Sequence, residues 1–267
     1  MRWQTRSELL YRPARVTTLG NGVRLVAGLL WFALLCLLTS VLILTALVLP
    51  KVRRRRFARA MICRVFRLHL GAMVRIGGVR LDLSALDALQ GAPAMVIAPN
   101  HPSMIDAALV LSRLNDVTCI MKPEILDNPL FGSSVRMAGY ITNDPPRRML
   151  RAAVESLQAG GHLLLFPEGT RTVRLPVNPL QRTVGVIAKR AGVPVQTVII
   201  ETSSAFLGKG WPLLRVPAMP MVYKLRLGRR FEPPADVDAF SGELEAYFRG
   251  ELAGARLPVL PVGAGSH

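Results

Sequence analysis

Asn100-His101-Pro102-Ser103-Met104-Ile105-Asp106 sets a histidine and an aspartate five residues apart. The stretch follows an apolar run, Ala94 to Ala98, that reads as a buried strand, and precedes Ala107 to Leu114, which has helical spacing and composition. The pair therefore sits on a strand-to-helix turn, with Pro102 suited to the first helical position and Asn100 or His101 as the cap. Asp106 then lies about one turn inside the helix, from where its carboxylate can reach back to the imidazole. A carboxylate bonded to one ring nitrogen fixes the tautomer and leaves the other nitrogen free to take a proton, which is how a histidine general base is built. Taken alone the spacing carries little weight, because a capping histidine beside a solvated aspartate produces it too.

A second stretch changes that balance. Phe166-Pro167-Glu168-Gly169-Thr170-Arg171 comes directly after the apolar strand that ends at Phe166. Both segments thus stand at the carboxyl ends of predicted strands, where open α/β sheets place their ligand sites. A glutamate and an arginine on a glycine-containing turn offer an acceptor for a hydroxyl and a planar fork for a phosphate. The bland alternative is a structural loop with an internal salt bridge. The sequence has no Gly-x-Ser-x-Gly elbow, so a serine hydrolase lacks its nucleophile. The His–Asp spacing matches no recognised metal site, and no metal is expected. Backbone N–H groups at the start of the helix after His101 are the candidate oxyanion donors.

The elements that must position these residues alternate. Strand 94–98 and helix 103–114 are succeeded by strand Val117–Lys122, helices near 130–138 and 147–159, strand His162–Phe166, helix 180–191, and strands Val193–Glu201 and Met221–Leu227. Val74 to Leu83, with Gly77-Gly78 inside it, reads as a strand with a tight turn, and Asp236 to Ala253 as an acidic amphipathic helix. Such alternation predicts an α/β fold: a mixed, mostly parallel sheet flanked by helices.

Ahead of this lies a different composition. Residues 1 to 22 read as a short polar tail with a Gly20-Asn21-Gly22 break, and Leu25 to Leu49 carries no charge over 25 residues. As a helix that run is about 37 Å long, enough to cross a hydrocarbon core of about 30 Å. The net charge is +17, and the first 75 residues hold fourteen basic side chains against the single acid Glu8. A nucleic-acid-binding domain would carry its basic face on the folded domain; here the charge flanks an apolar helix, which points to anionic lipid head groups and away from nucleic acid. The basic cluster Lys51 to Arg56 predicts that the domain C-terminal to it is cytoplasmic. A hairpin that never fully crosses is the other arrangement, with residues 53–70 as a basic interfacial arm whose Phe57, Met61, Val65 and Leu68 share one stripe. The expected division is an N-terminal membrane helix and basic juxtamembrane segment over 1–73, a catalytic domain over 74–255 and a disordered Pro/Gly-rich tail over 256–267. Cys36, Cys63 and Cys119 are too few and scattered for a disulfide framework or a zinc site and read as small buried or lipid-facing side chains.

Together the two site segments resemble the glycerolipid acyltransferase family, whose founding activity is 1-acylglycerol-3-phosphate acyltransferase. The resemblance covers roughly residues 75 to 230, and Lys122-Pro123-Glu124 with Pro129, Gly132 and Gly139 looks like the family's middle block. It implies that His101 deprotonates an acceptor hydroxyl, which attacks an acyl thioester directly, and that Asp106 orients His101. It further implies that Glu168 and Arg171, with Gly169 and Thr170 between them, hold the acceptor through its phosphate. Asn100, Ser103 and Lys122 enter as further substrate-binding positions on the same ground. The acyl donor is then acyl-CoA or acyl-carrier protein as co-substrate, with no cofactor, acting on a lysophospholipid at the cytoplasmic face of the inner membrane.

The chain departs from the family pattern after Gly139, where Tyr140-Ile141-Thr142-Asn143-Asp144 stands in place of an early arginine, and at Arg182-Thr183-Val184 and Val193-Pro194 with Thr197. These changes fall where the acceptor is shaped, which leaves open an acceptor other than lysophosphatidate. The alternatives are a specialised lipid such as an aryl polyene, or a catalytically idle lipid-binding homologue.

Overall fold

A computed structural model describes residues 18–254; the expected tail over 256–267 and all but the last few residues of the expected surface tail lie outside them. The described residues begin with two long helices, α1 (Thr18–Leu44) and α2 (Lys51–Arg75), joined by a 3-10 turn at Thr45–Val48 and by Pro50, which precedes α2 as its N-cap. Next come β1 (Val79–Asp82), β2 (Val96–Pro99), α3 (Asp106–Leu111), β3 (Val117–Met121), α4 (Gly132–Ala138), β4 (Ile141–Thr142) and α5 (Pro146–Gln158). β5 (His162–Leu164), α6 (Thr183–Ala191), β6 (Val195–Thr202), β7 (Met221–Phe231) and α7 (Val237–Ala253) complete it.

The strands form one seven-stranded sheet in the order β1-β7-β6-β2-β5-β3-β4. Only β6 and β7 pair antiparallel; every other neighbour is parallel, so the sheet is mixed and mostly parallel as expected. Its central strands are buried on both faces, which is why they read as unbroken apolar runs. Ile97, Leu164, Val198 and Ile200 point to one face against α3 and the 3-10 turn Ser84–Leu89. Val96, Ala98, Leu163 and Ile199 point to the other, against α5, α6 and α7. Helix ends obey their local chemistry: Pro146 opens α5, Gly192 closes α6 in the left-handed conformation at φ 67°, and the Asp236 carboxylate caps α7 through the Asp238 and Ala239 N–H groups.

Several boundaries differ from the sequence reading. Gly20-Asn21-Gly22 is no break but lies inside α1, with Gly22 facing Val216 and Gly28 facing Met73 so closely that a Cβ would stand 2.6 Å from its sulfur. Small residues there let neighbouring segments approach. The run from Val74 is not a strand at its start, since α2 continues to Arg75 before the Gly77 turn at φ 71°.

α1 and α2 pack against one another, Gly28 meeting Met73 and Phe32 stacking on Phe66 with ring centroids 6.2 Å apart. Leu19–Val48 is long and apolar enough to cross a membrane, with mean hydropathy 2.5. Yet both ends of α1 touch the domain: Gly22 beside Val216 at one end, and at the other Ser40, whose hydroxyl donates to Leu130 O at 2.9 Å. Ile43 is fully buried with Met121, Val135 and Ala138. Packing runs on across residue 74, since Leu25 and Leu70 belong to the same core as β2 and α3. Part of the arginine charge on α2 serves this docking and not a head-group layer. Arg59 has a side chain only 10% exposed and donates to Asp116 Oδ1 at 2.7 Å and to Ala138 O at 3.0 Å. Arg67 Nε donates to Ser112 O at 3.1 Å. The three cysteines are free and buried, as expected.

Candidate active site

β2 and β5 are adjacent and parallel, with Ile97 opposite Leu164, so the segments leaving their carboxyl ends must meet. As the chain leaves β2, Asn100 extends the sheet with its side chain: Oδ1 accepts from Ile200 N at 2.7 Å and Nδ2 donates to Ile200 O at 3.0 Å. An amide side chain can offer one donor and one acceptor in this way, and it fixes the direction in which His101 departs.

His101 is held on four sides. Its Nδ1 stands 3.0 Å from Asp106 Oδ2. Its N–H donates to Glu168 Oε1 at 2.7 Å, its carbonyl accepts from Thr172 N at 2.7 Å, and its ring stacks on Phe166 with centroids 3.8 Å apart. The imidazole is 16% exposed and Nε2 forms no hydrogen bond among the described residues. Asp106 is fully buried, and its Oδ2 also accepts from Ser103 N at 2.7 Å. Burial pushes the Asp106 carboxyl above its ordinary range, opposed by the His101 hydrogen bond and charge and by the Ser103 N–H.

The helix after His101 starts later than the sequence suggested. Asp106 is the first residue of α3 and Pro102 lies ahead of it in a turn, so the carboxylate closes that turn instead of reaching back along a helix. The expected oxyanion donors there are also spent. Ser103 N–H goes to Asp106, Met104 N–H to Leu207 O at 3.0 Å, Ile105 N–H to Ser103 Oγ at 3.4 Å and Asp106 N–H to Ser103 O at 3.3 Å. In the turn after β5, by contrast, the Thr170 and Arg171 N–H groups have no acceptor among the described residues.

Glu168 faces inward. It is 3% exposed, and beside the His101 N–H its oxygens accept from Thr172 Oγ1 at 2.8 and 2.9 Å and from Asn178 N at 2.9 Å. Burial raises its pKa, opposed by the Asn178 and His101 N–H groups and the Thr172 hydroxyl. Asn178 Oδ1 in turn accepts from Val173 N and Arg174 N, both at 3.0 Å, closing the loop. Gly169 takes φ 68°, a left-handed turn residue that carries the chain outward again. Arg171 Nη1 donates to Leu207 O at 2.9 Å and Gly208 O at 3.0 Å, which aims the guanidinium and leaves Nε and Nη2 without partners among the described residues.

Of the positions singled out in the sequence, Asn100, His101, Ser103, Asp106, Glu168 and Arg171 are brought together. Asn100 and Ser103 are buried in the framework, Ser103 Oγ donating to Phe206 O at 2.7 Å. Thr170 is half-buried in the same turn. Lys122 is exposed just past the end of β3, separated from β2 by β5, and its side chain makes no hydrogen bond or ion pair among the described residues. The sequence reading missed Thr172, Asn178 and the 203–208 loop, which close the site from the far side. No spacing rule joins residues about a hundred positions apart, although Thr172 and Asn178 are hydrogen-bonding types just past the Glu168 turn.

Comparison with known proteins points one way. The family model described as Acyltransferase matches residues 80–201. The chain is 25% identical over 170 residues to 1-acyl-sn-glycerol-3-phosphate acyltransferase of Pseudomonas aeruginosa, covering 61% of this chain and 65% of that protein. It is 32% identical over 91 residues to lyso-ornithine lipid O-acyltransferase of Rhodobacter capsulatus, covering 33% of each. These matches span less than two thirds of the curated relatives' own length. The fold resembles the 1-acyl-sn-glycerophosphate (LPA) acyltransferase PlsC from Thermotoga maritima with a TM-score of 0.67 at 19% identity, over 87% of this chain and 96% of that one.

Proposed function

We propose that this chain, whose residues 80–201 match the family model described as Acyltransferase, is a membrane-bound O-acyltransferase that moves a fatty acyl group from a thioester to the free hydroxyl of a lysophospholipid. The observation that carries the mechanism is the His101–Asp106 contact of 3.0 Å, with Nε2 the unbonded nitrogen of a ring fixed by stacking and by both its backbone groups. Asp106 holds the tautomer with Nδ1 protonated. Nε2 takes the proton from the acceptor hydroxyl as its oxygen forms the bond to the thioester carbon. The C–S bond then breaks, and the departing thiolate recovers the proton from the imidazolium. The donor, acyl-CoA or acyl-carrier protein, is reactive enough that no acyl-enzyme is required. The unbonded Thr170 and Arg171 N–H groups are the donors we assign to the oxyanion.

Arg171 receives the acceptor's phosphate in this reading, its fork pre-aimed by two carbonyls. Glu168 acts as a positioning residue for His101 and not as an acceptor contact, since its oxygens are occupied internally. The α1–α2 hairpin lies in the plane of the membrane beside the domain, with Lys51 to Arg56 against anionic head groups at the cytoplasmic face of the inner membrane. The preferred acceptor is 1-acylglycerol-3-phosphate. The similarity to a lyso-ornithine lipid enzyme favours an amino-acid-headed lysolipid as the second reading.

Membranes containing wild type or His101→Ala, given labelled acyl-CoA or acyl-carrier protein and a panel including both lysolipids, test this. Product from wild type alone is expected. Equal product from the variant, or none from any donor and acceptor pair, overturns the reading.

A further inference from the structure

The loop from Ser203 to Pro220 joins β6 to β7 and has two parts. Its inner part belongs to the site: Phe206 O, Leu207 O and Gly208 O accept from Ser103, Met104 and Arg171. In the outer part, Trp211-Pro212-Leu213-Leu214-Arg215, residues 212–215 are exposed, among them two leucines, Leu213 at 50% and Leu214 at 73%. Behind this tip Trp211 Nε1 donates to Arg215 O at 3.2 Å, and the Arg215 guanidinium lies 4.7 Å from the indole centroid. The whole loop has no acidic residue, while Lys209 and Arg215 are both exposed.

The tip is continuous with α1. Val216 faces Gly22, and Trp211 and Val216 pack on the same core as Leu25 and Leu29. The outward residues of that end of α1, Val23, Val26 and Leu30 among them, are exposed apolar side chains. Two leucines at a tip, backed by an indole and a guanidinium, form an apolar point with an amphipathic collar. Tryptophan and arginine favour the head-group level, where an apolar body and a polar end are both accommodated.

Resting on the reading that the protein works at a membrane, we propose that the Trp211–Arg215 tip is a second bilayer contact. Leu213 and Leu214 enter the acyl layer beside α1, while Trp211, Lys209 and Arg215 meet anionic head groups. Because the same loop supplies the carbonyls that aim Arg171, insertion would place the acceptor-binding fork at the level where lysolipid head groups lie.

The test uses the full chain carrying Leu214→Cys or, on α1, Leu38→Cys, each labelled with an environment-sensitive fluorophore; labelled wild type is the blank for the buried native cysteines. Vesicles of phosphatidylcholine and phosphatidylglycerol with a nitroxide-bearing lipid are then added. A blue shift and quenching at both positions is the expected result. Quenching at Leu38→Cys alone overturns the loop contact and leaves membrane binding standing, and quenching at neither overturns both. As a second arm, Leu213→Ser with Leu214→Ser is expected to raise KM for a vesicle-borne acceptor by roughly tenfold while leaving a water-soluble short-chain acceptor unchanged. An unchanged KM in vesicles also overturns the proposal.

Discussion

Glu168 grips His101 through the backbone: Oε1 accepts the histidine N–H at 2.7 Å, while Thr172, bonded to the same carboxylate, returns an N–H to the histidine carbonyl at 2.7 Å. The turn after β5 therefore fixes the base from behind. Glu168→Gln keeps the shape but puts an amide N–H against a donor, orphaning either the His101 or the Asn178 N–H at about 1–3 kcal/mol. We expect a lower unfolding temperature and a reduced kcat with acceptor KM little changed. A variant with wild-type stability and a selectively raised acceptor KM would return Glu168 to a substrate-binding role.

The same carboxylate sets a pH dependence. Burial raises its pKa above the ordinary 4.5, so the folded state binds that proton more tightly than the unfolded chain. Its contribution to stability is full below about 4.5 and is lost as pH rises through the higher folded value. Unfolding measured from pH 4 to 7 is expected to show this decline in wild type and a flatter profile in Glu168→Gln. Equal slopes would show that Glu168 is not the group responsible.

His101→Ala removes the proton acceptor, and a positioned base contributes about 10²–10⁴ in rate. Asp106→Asn preserves size and can still turn its amide oxygen to Nδ1 and the Ser103 N–H, but it removes the negative charge that stabilises the imidazolium formed when Nε2 takes the proton. A loss on the order of 10³–10⁴ in kcat is expected by analogy with other carboxylate–histidine pairs. Double substitution is expected to cost little more than either change alone, because the residues act as one unit. Multiplicative losses in steady-state kinetics would separate them.

Distance along the chain governs how much of this the sequence discloses. His101 and Asp106 are near neighbours and each site segment abuts an apolar strand, so both are legible, as is the mostly parallel sheet. The buried role of Glu168 is not, because it depends on β2 and β5 being neighbours, a property of topology. Arg59 and Arg67 look like any surface charge until Asp116 and Ser112 are folded against them. The 203–220 loop has no periodicity, and its importance lies in backbone carbonyls that every residue owns.

Arg171→Lys separates charge from geometry. Lysine retains a cation but cannot hold two carbonyls and offer a bidentate fork together. Against a phosphate-bearing acceptor, KM is expected to rise roughly tenfold or more, with Arg171→Ala worse again. Acyl-donor KM is expected to stay unchanged in both. An equal rise for donor and acceptor would mean that the arginine serves mainly to tie the 206–208 loop.

Gly132 tests the middle block of the domain independently of the chemistry. A Cβ added there would stand 2.2 Å from the Leu126 carbonyl oxygen, which belongs to backbone and cannot swing aside. Gly132 N already donates to Asn128 O at 2.8 Å, so the 123–132 turn is drawn tightly onto the start of α4. Gly132→Ala forces the two apart, and α4 carries Val135 and Ala138, which bury Ile43 of α1. The expected outcome is a loss of about 1–3 kcal/mol, the range for overpacking a tight site. It should appear as a lower unfolding temperature in detergent and easier proteolysis between residues 123 and 132, with the KM of the acceptor unaffected in the fraction that remains folded. Wild-type stability in Gly132→Ala would mean that the turn relaxes freely and that α1 is not anchored through it.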